Sequence, residues 1–314
     1  MDYRQHPNEH WLEYFRTTGY PDAEPISGGV EGAIYRLRPG RIAKVWANQN
    51  ESELTRFAAF YADLRAHGLP FQTPQIERVQ SIDGAVVTEE LELPGQPMQE
   101  HIPDGEVIHE QTAEKLVAIL AALRDVAWFD SAKQLAVLGE STPMLVHEAS
   151  WPAAMASLIE RKFAAYRYLL ARDVPEADNL VHRLREIVRA YQIDEKGIVH
   201  GDLYGANVLV DDEQQVSTVL DFGFVTCAGD PDFDAAVLAL IADQYGAKAA
   251  QSEALLDALI LDRFGIDPRK LLVYKAVYAV ITSGYFSDDG SDGHYPWAVA
   301  ILNRPEVRAA VWSG

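Results

Sequence analysis

Hydrophobic and polar positions change period several times in the first third of the chain. Short runs of β-branched and aromatic residues between glycines and prolines predict strands, whereas apolar residues every three or four positions predict helices. The predicted elements are an amphipathic helix over residues 1–20, strands at 33–37 and 42–46, a helix over 50–67 whose apolar stripe is Leu54, Phe57, Ala58, Tyr61 and Leu64, and a strand pair at 76–79 and 85–91. A small unit of sheet and helix is expected, and prolines and a glycine end it near residue 93.

The pattern after residue 93 is mainly helical. Thr112 is the predicted N-cap of the first helix, whose apolar positions Leu116, Ile119, Leu120 and Leu123 follow the helical period. Later helices are predicted over residues 151–172, 176–191, 232–245, 251–264, 268–283 and 297–311. The predicted fold class is therefore α+β, with a β-rich N-terminal part and a larger, mainly helical C-terminal part.

One stretch of this second part is not helical and carries polar residues at fixed spacing. It consists of His200, Asp202 and Asn207, a strand at 208–210, a polar turn at 211–215, a strand at 218–220 and then Asp221. The hairpin should bring Asn207 and Asp221 side by side, where an amide oxygen and a carboxylate suit a hard cation. Asp202, on the same loop, would face a third group. A base beside a magnesium site is the arrangement that phosphoryl transfer requires.

These residues also carry a resemblance. The pattern His200-x-Asp202-x-x-x-x-Asn207, followed by Asp-Phe-Gly from Asp221, resembles the catalytic loop and metal-binding motif of the protein-kinase-like superfamily. The glycine at Gly201 and the Gly-Asp-Pro-Asp-Phe-Asp segment at 229–234 are most similar to the aminoglycoside phosphotransferase and choline kinase branch. The resemblance implies a bilobal protein-kinase-like fold. Its nucleotide-binding lobe would cover residues 1–92, and its catalytic and acceptor-binding lobe residues 93–314.

The resemblance also implies a role for each residue of this stretch. Asp202 would orient or deprotonate the acceptor hydroxyl, and Asn207 and Asp221 would hold Mg²⁺. His200 and Asp234 would support the loop by hydrogen bonds. The co-substrate would be ATP or GTP.

Candidate nucleotide-binding residues lie in the first part. Lys44, between Ala43 and Val45, resembles the strand lysine that holds phosphates in kinases, although a lysine on a solvent face would fit the same pattern. The remaining candidates are Gly28 and Gly29 in a glycine-rich turn over 25–32, Glu53 or Glu51 as the partner of Lys44, and Glu90 and Leu91 before a hinge-like segment. The glutamate assignment departs from the family pattern, since Phe57 occupies the expected place. An acidic residue that stabilises the helix dipole is an equal alternative.

Composition limits the classes of partner. The 314 residues carry 27 Lys and Arg against 47 Asp and Glu, a net charge of −20, which argues against nucleic acid and anionic membranes as partners. A single cysteine excludes an intrachain disulfide, and together with the lack of a visible secretory signal it favours a cytoplasmic location. The apolar runs are too short to span a bilayer. The charge favours a cationic small molecule as acceptor, and oligomeric state stays open.

An acidic and aromatic loop over residues 284–295 is the candidate acceptor site. Asp288, Asp289 and Asp292 would attract a cation, and Tyr285 would stack on a ring or an ammonium group. The leading hypothesis is an antibiotic phosphotransferase that confers resistance. The alternatives are a metabolic kinase for choline, an amino alcohol or a sugar, and a nucleotide-binding pseudokinase. Protein-kinase activity is not expected, because the chain has no room for a long activation segment.

Overall fold

The structure is a computed structural model and describes residues 6–29, 31–98 and 105–313. The chain divides into two compact units. The first contains the described residues up to Pro97 together with Val208–Leu220, and the second contains the other described residues. The first unit is rich in strands and the second in helices, so the predicted α+β class is confirmed. By its contacts the hairpin at 208–220 belongs to the first unit, although it lies within the range 93–314.

An antiparallel sheet is the main element of the first unit. Its strands are β1 (Glu24–Gly28), β2 (Gly32–Arg38), β3 (Arg41–Trp46), β4 (Ile76–Ile82) and β5 (Ala85–Leu91), in the order β1-β2-β3-β5-β4. Asp83 and Gly84 connect β4 to β5 with φ angles of 48° and 77°. Both residues therefore lie in the left-handed region that two-residue hairpin turns favour. Strand β3, which carries Lys44, pairs with β2 on one side and β5 on the other.

Helix α1 (Glu9–Thr17) covers one face of this sheet. Trp11 and Phe15 are buried in the same cluster as Tyr35 of β2, and the Phe15 and Tyr35 rings lie 5.2 Å apart. The side chain of Asn8 caps the helix by accepting from the N–H of Trp11. The helix is shorter than the predicted range 1–20, of which residues 1–5 lie outside the described residues.

Strand β1 was not predicted, because Pro25 and the glycines that begin at Gly28 indicate a turn. The turn follows β1 instead, where the N–H groups of Gly29 and Gly32 each donate to the other residue's carbonyl, at 2.9 and 3.2 Å. A Cβ atom at Gly32 would lie 2.1 Å from the carbonyl oxygen of Val45. Only glycine therefore allows β2 to start against β3 at this point.

Helix α2 (Glu51–Ala66) begins with a capping box. The side chain of Asn50 accepts from the N–H of Glu53, and the Glu53 carboxylate accepts from the N–H of Asn50. The predicted apolar stripe is partly wrong, because Phe60 is fully buried whereas Phe57 is only half-buried. The buried face is therefore centred closer to Phe60 than the spacing alone indicates.

A small second sheet completes the first unit. It contains β6 (Gln96–Pro97), β8 (Val208–Val210) and β9 (Val216–Val219), and its register pairs Val208 with Val219. The hairpin prediction is thus confirmed for β8, while β9 starts two residues earlier than predicted.

Helices make up most of the second unit. They are α3 (Glu110–Arg124), α4 (Asp130–Lys133), α5 (Trp151–Asp173), α6 (Ala177–Ala190), α7 (Pro231–Ile241), α8 (Ala249–Phe264), α9 (Pro268–Thr282), α10 (His294–Leu302) and α11 (Pro305–Trp312). Two short strands, β7 (Ile198–Val199) and β10 (Cys227–Ala228), pair antiparallel. The apolar stripe predicted for α3 is buried as expected, but its predicted cap is wrong. The helix begins at Glu110, and His109 occupies the N-cap position without a side-chain cap bond.

Aromatic packing fixes the helix that carries Asp234. Trp151 of α5, Phe233 of α7 and Tyr274 of α9 are buried, with ring centroids 5.6–5.9 Å apart. Because Phe233 precedes Asp234, this core holds the first turn of α7 against neighbouring helices. Within the described ranges, the structure contains no helix that is both long and apolar enough to cross a membrane.

Candidate active site

The loop that follows β7 is shaped by a glycine. Gly201 has φ +77°, and a Cβ atom there would lie 2.7 Å from Cβ of Val225. Both the left-handed backbone and the close approach exclude a larger side chain without movement of the chain. This packing gives a physical reason for the glycine between His200 and Asp202.

Asp202 and Asn207 are brought together by hydrogen bonds. The Nδ2 group of Asn207 donates to the backbone oxygen of Asp202 at 2.8 Å and to its carboxylate at 3.1 Å. A short 3₁₀ turn, Gly205–Asn207, holds the buried asparagine at this distance. Since both bonds use Nδ2, the amide oxygen of Asn207 is the atom that this side chain can offer to a cation.

The Asp234 carboxylate anchors the start of the loop. It accepts from the backbone N–H of His200 at 2.9 Å and of Gly201 at 2.8 Å. Asp234 is 1% exposed, and burial raises the pKa of its carboxyl group to about 6 despite these two bonds. The buried acid therefore holds two successive amides of the loop immediately before Asp202.

His200 braces the same loop through its ring and its backbone. Its Nδ1 atom accepts from the N–H of Asp202 at 3.3 Å, so the ring proton lies on Nε2 when the ring is neutral. The ring packs on Phe222, with centroids 4.3 Å apart, and Thr226 donates to the His200 carbonyl at 2.7 Å. These contacts connect the loop to the segment after Asp221.

Two other acids of the segment 229–234 stabilise the neighbouring helices. Asp230 caps α7 and accepts from the Tyr274 hydroxyl at 2.6 Å, and Lys270 lies 2.7 Å from the same carboxylate. Asp232 binds Arg124 of α3 and Lys270 of α9, each at 2.6 Å. Sequence reasoning missed these basic partners, because they lie far away along the chain and match no motif.

Asp221 has the exposure and backbone expected of a ligand-binding residue. Its side chain is exposed, and its φ of 53° lies in the left-handed region that few residues other than glycine, asparagine and aspartate adopt. Backbone strain of this kind is concentrated at functional sites. Within the described residues, no group of three or more His, Cys, Asp or Glu side chains could hold a metal. One carboxylate and one amide oxygen still fit Mg²⁺, which commonly takes one or two protein ligands and completes its shell with phosphates and water.

Lys44 is paired with a glutamate that sequence reasoning missed. Its Nζ lies 2.5 Å from the Glu31 carboxylate and 3.8 Å from the Trp46 ring centroid. The predicted partner Glu53 instead caps α2, where its carboxylate accepts from the side chain of Asn50 at 2.6 Å. The other candidate, Glu51, accepts from a serine hydroxyl of β4. The described hydrogen bonds of both predicted glutamates therefore go to residues other than Lys44.

The other predicted nucleotide-binding residues lie in or beside the main sheet. Gly28 ends β1, and Gly29 belongs to the turn that follows. Glu90 is buried in β5, where its carboxylate accepts from the hydroxyl of Thr88 at 2.5 Å. The backbone N–H of Leu91 donates to the Gln75 carbonyl at 3.2 Å. The role of these residues stays a prediction.

Most carboxylates of the predicted acceptor loop bind the loop itself. Asp289 accepts from Ser287 and Ser291, and these bonds lower the pKa of its carboxyl group to about 2. One carboxylate oxygen of Asp292 accepts from the N–H of His294 and of Tyr295, the first two residues of α10, at 2.7 and 2.9 Å. The Asp288 side chain is exposed, and its backbone oxygen accepts from the Tyr168 hydroxyl. Tyr285 is 39% exposed.

Replacing Asp234 with asparagine is expected to change how stability depends on pH. The folded pKa of about 6 lies above the ordinary 3.8, so the stability that protonated Asp234 contributes is present below 3.8 and lost as pH rises through about 6. Across that window the parent should lose about 3 kcal/mol relative to the variant, which does not titrate there. Urea unfolding of both proteins at several pH values measures the difference. Parallel pH profiles, separated only by a constant offset from the lost hydrogen bonds, would contradict the assignment.

Comparison with known proteins identifies the family. Residues 22–272 match the model of the Phosphotransferase enzyme family. No curated protein matches the chain. Several solved structures share its fold, and three of them are 16–19% identical to this chain in sequence.

An aminoglycoside phosphotransferase from Streptomyces rimosus, solved with ADP and streptomycin, is 19% identical, with a TM-score of 0.53 over 87% of this chain and 97% of that one. The GDP and kanamycin complex of a second aminoglycoside phosphotransferase is 16% identical, with a TM-score of 0.61 over 96% of this chain and 99% of that one. The macrolide 2'-phosphotransferase from Brachybacterium faecium, an apoenzyme, is 17% identical, with a TM-score of 0.54 over 95% and 99%. These similarities confirm the kinase-like fold, and the match over residues 22–272 shows that the chain belongs to the Phosphotransferase enzyme family.

Proposed function

We propose that this phosphotransferase moves the γ-phosphoryl group of ATP or GTP to a hydroxyl of a small molecule, and that the acceptor is an antibiotic. The observation that supports this best is the loop in which Asn207 binds both the backbone and the carboxylate of Asp202. Two backbone amides before Asp202 are held by a buried acid. A base kept in one position beside a potential cation ligand suits a reaction that depends on positioning and charge neutralisation.

In this proposal Asp202 orients the acceptor hydroxyl and takes its proton as the new phosphate ester forms. Asn207 and Asp221 hold Mg²⁺ through an amide oxygen and a carboxylate oxygen. The ion, when bound, neutralises charge on the phosphate oxygens. His200 and Asp234 fix the loop and do not touch the substrate.

The nucleotide is assigned to residues of the first unit. Lys44 is half-buried on β3, and its ammonium group would bind phosphate oxygens in place of Glu31. The turn at Gly28 and Gly29 offers backbone amides to an anion. Glu90 and Leu91 remain the candidates for contact with the base.

The antibiotic assignment rests on charge and on the family. A net charge of −20 gives nothing to nucleotide binding but attracts a cationic acceptor. Two structurally similar enzymes were solved with streptomycin and with kanamycin, which carry amines and hydroxyls. A metabolic kinase for choline, an amino alcohol or a sugar is the second candidate. Because Lys44, Asp202, Asn207 and Asp221 are all present, a pseudokinase is disfavoured.

A screen for phosphorylated product tests the proposal. The protein, Mg²⁺ and either ATP or GTP are incubated with aminoglycosides, macrolides, peptide antibiotics, sugars and amino alcohols, and products are read by mass. We expect one class of antibiotic to gain a single phosphoryl group. Transfer only to sugars or amino alcohols would support the metabolic alternative, and nucleotide binding without any transfer would support the pseudokinase.

Opposite changes are expected when the two partners of the Lys44–Glu31 pair are replaced. Lys44→Met should raise the nucleotide KM or lower turnover by about tenfold or more, because a hydrogen bond to a charged group contributes about 1.5–3 kcal/mol. Glu31→Gln should lower the nucleotide KM, because the Glu31 carboxylate no longer competes with phosphate for Lys44. Steady-state kinetics with varied nucleotide measure both. If Lys44→Met shows the kinetics of the parent, Lys44 does not bind the nucleotide.

A further inference from the structure

One face of the main sheet carries an aromatic and two polar side chains around Lys44. The register of β3 and β5 places Lys44 opposite Thr88, and directly opposed residues of an antiparallel pair project to the same face. Because side chains alternate along a strand, Trp46 and Glu90 lie on this face as well. The other face carries the apolar cluster that α1 covers. The first unit therefore groups a tryptophan, a threonine and a glutamate beside the lysine that is assigned to phosphate.

The ring of Trp46 contacts the ammonium group of Lys44. Nζ of Lys44 lies 3.8 Å from the ring centroid, within the range of roughly 6 Å for a cation–π contact, and tryptophan is the strongest aromatic partner for a cation. The Lys44 side chain is 12% exposed, so little water screens this attraction. A neutral ring orients the ammonium group and leaves its charge available, whereas the carboxylate of Glu31 competes with phosphate for the same charge.

Trp46 is itself held by a hydrogen bond whose direction is fixed. An indole N–H can only donate, so the Thr88 hydroxyl accepts from Nε1 of Trp46 at 2.9 Å. The hydroxyl proton of Thr88 is then directed to the Glu90 carboxylate, at 2.5 Å. Thr88 and Glu90 are both buried, and a low local dielectric strengthens such bonds. The two bonds together hold the indole ring in one orientation beside Lys44.

We propose that Trp46 is the positioning residue of Lys44, and that Thr88 and Glu90 hold Trp46 in place for this role. The inference rests on the proposed function, because it takes Lys44 as the residue that binds the phosphates of the nucleotide. Trp46 then has the role that the sequence predicted for a glutamate of α2, and the described bonds of both candidate glutamates go to other residues. The side chain of Glu90 belongs to this arrangement, and its backbone remains the candidate for contact with the base.

The position of Trp46 on β3 makes its contact with Lys44 compatible with a bound nucleotide. Trp46 follows Lys44 by two residues on the same strand, whereas Glu31 lies in the turn before β2. Phosphate can therefore replace Glu31 while the ring contact persists. Loss of the ring should lower nucleotide affinity, because Lys44 then loses its fixed orientation and keeps only the competing carboxylate of this pair.

Calorimetry with MgATP and with MgGTP tests the inference without relying on catalysis. Trp46→Leu should weaken nucleotide binding by about three- to tenfold, the effect expected of losing a half-buried cation–π contact. Trp46→Phe should lose less, because it keeps a ring face and removes the N–H that anchors the ring. Thr88→Val should resemble Trp46→Phe, since it removes the acceptor of that N–H. Thr88→Ser keeps the hydroxyl and should bind nucleotide as the parent does.

A double substitution shows whether Trp46 acts through Lys44. The effect of Trp46→Leu is measured again in Lys44→Met, where almost no further loss of affinity is expected, because the two changes remove one shared interaction. A tryptophan with a merely structural role would weaken binding by the same factor in both backgrounds. Trp312→Leu is the matched control, since Trp312 is an exposed tryptophan at the end of α11, and it should bind nucleotide as the parent does. Parental affinity in Trp46→Leu, or equal losses in both backgrounds, would overturn the inference.

Kinetics on the same samples separate this inference from the proposed function. Thermal melting identifies any variant that does not fold, and Trp46→Phe and Thr88→Val keep the inference testable because they change the side chain less than Trp46→Leu does. Nucleotide binding that depends on Trp46, without transfer to any acceptor, would refute the proposed function alone. Transfer with a parental nucleotide KM in Trp46→Leu would overturn the inference alone. A parent that binds neither nucleotide would refute both.

Discussion

Asp202→Asn is expected to lower turnover by about 10²–10⁴-fold, the usual effect of losing a general base. The substitution keeps the size of the side chain, and an amide can still meet the Asn207 amide if one of the two groups rotates. The variant should therefore fold and bind nucleotide as the parent does. Turnover under saturating substrates, together with nucleotide affinity from calorimetry, separates loss of chemistry from loss of binding.

Asp212→Asn provides the matched control for this experiment. Asp212 is an exposed acid in the turn between β8 and β9, so its replacement removes the same charge away from the loop. It should retain parental turnover. If Asp202→Asn stays within a factor of about two of the parent, Asp202 is not the base.

Asp221→Asn is expected to fail in a different way. Asparagine tolerates the left-handed backbone at this position, φ 53°, so the substitution removes charge without adding strain. Loss of a carboxylate ligand should weaken magnesium-dependent nucleotide binding and lower turnover by about 10²-fold or more. Calorimetry of nucleotide binding with and without Mg²⁺ measures the first effect. An unchanged dependence on Mg²⁺ would show that Asp221 is not a ligand.

Asp221→Ala serves as the comparison. Alanine removes the same charge but is less well tolerated in the left-handed region, so it should also lower the melting temperature. A larger loss of binding in Asp221→Ala than in Asp221→Asn would thus combine the backbone contribution with the loss of the amide oxygen that asparagine keeps. Equal losses would assign the effect to the carboxylate.

The parts of the fold that depend on local pattern could be predicted from the sequence. The stripe in α3 and the hairpin turn at Asp83-Gly84 each combine a period with residues suited to one backbone geometry. The spacing from His200 to Asn207 also predicted the shared loop. The start of α3 was not predicted, because His109 occupies the N-cap position without a side-chain cap bond and is not a typical capping residue.

Partners distant in sequence could not be predicted. Glu31 meets Lys44 because the turn after β1 leads into β2, which pairs with β3, and no motif marks that glutamate. Lys270 and Arg124 meet Asp232 only because helices from separate parts of the chain pack together. The contact between Phe224 and Phe286 could not be predicted either, because the two rings become neighbours only through tertiary packing.

Transfer of a labelled γ-phosphoryl group tests the central claim most directly. Nucleotide carrying ¹⁸O in its γ-phosphoryl group is mixed with Mg²⁺, an acceptor found in the screen, and either the parent or Asp202→Asn. The acceptor is then analysed by mass after a single turnover. We predict that the parent transfers the labelled group to one acceptor hydroxyl, and that Asp202→Asn shows bound nucleotide but almost no labelled acceptor. Equal labelling by the two proteins, or label released only as free phosphate by the parent, would contradict the account.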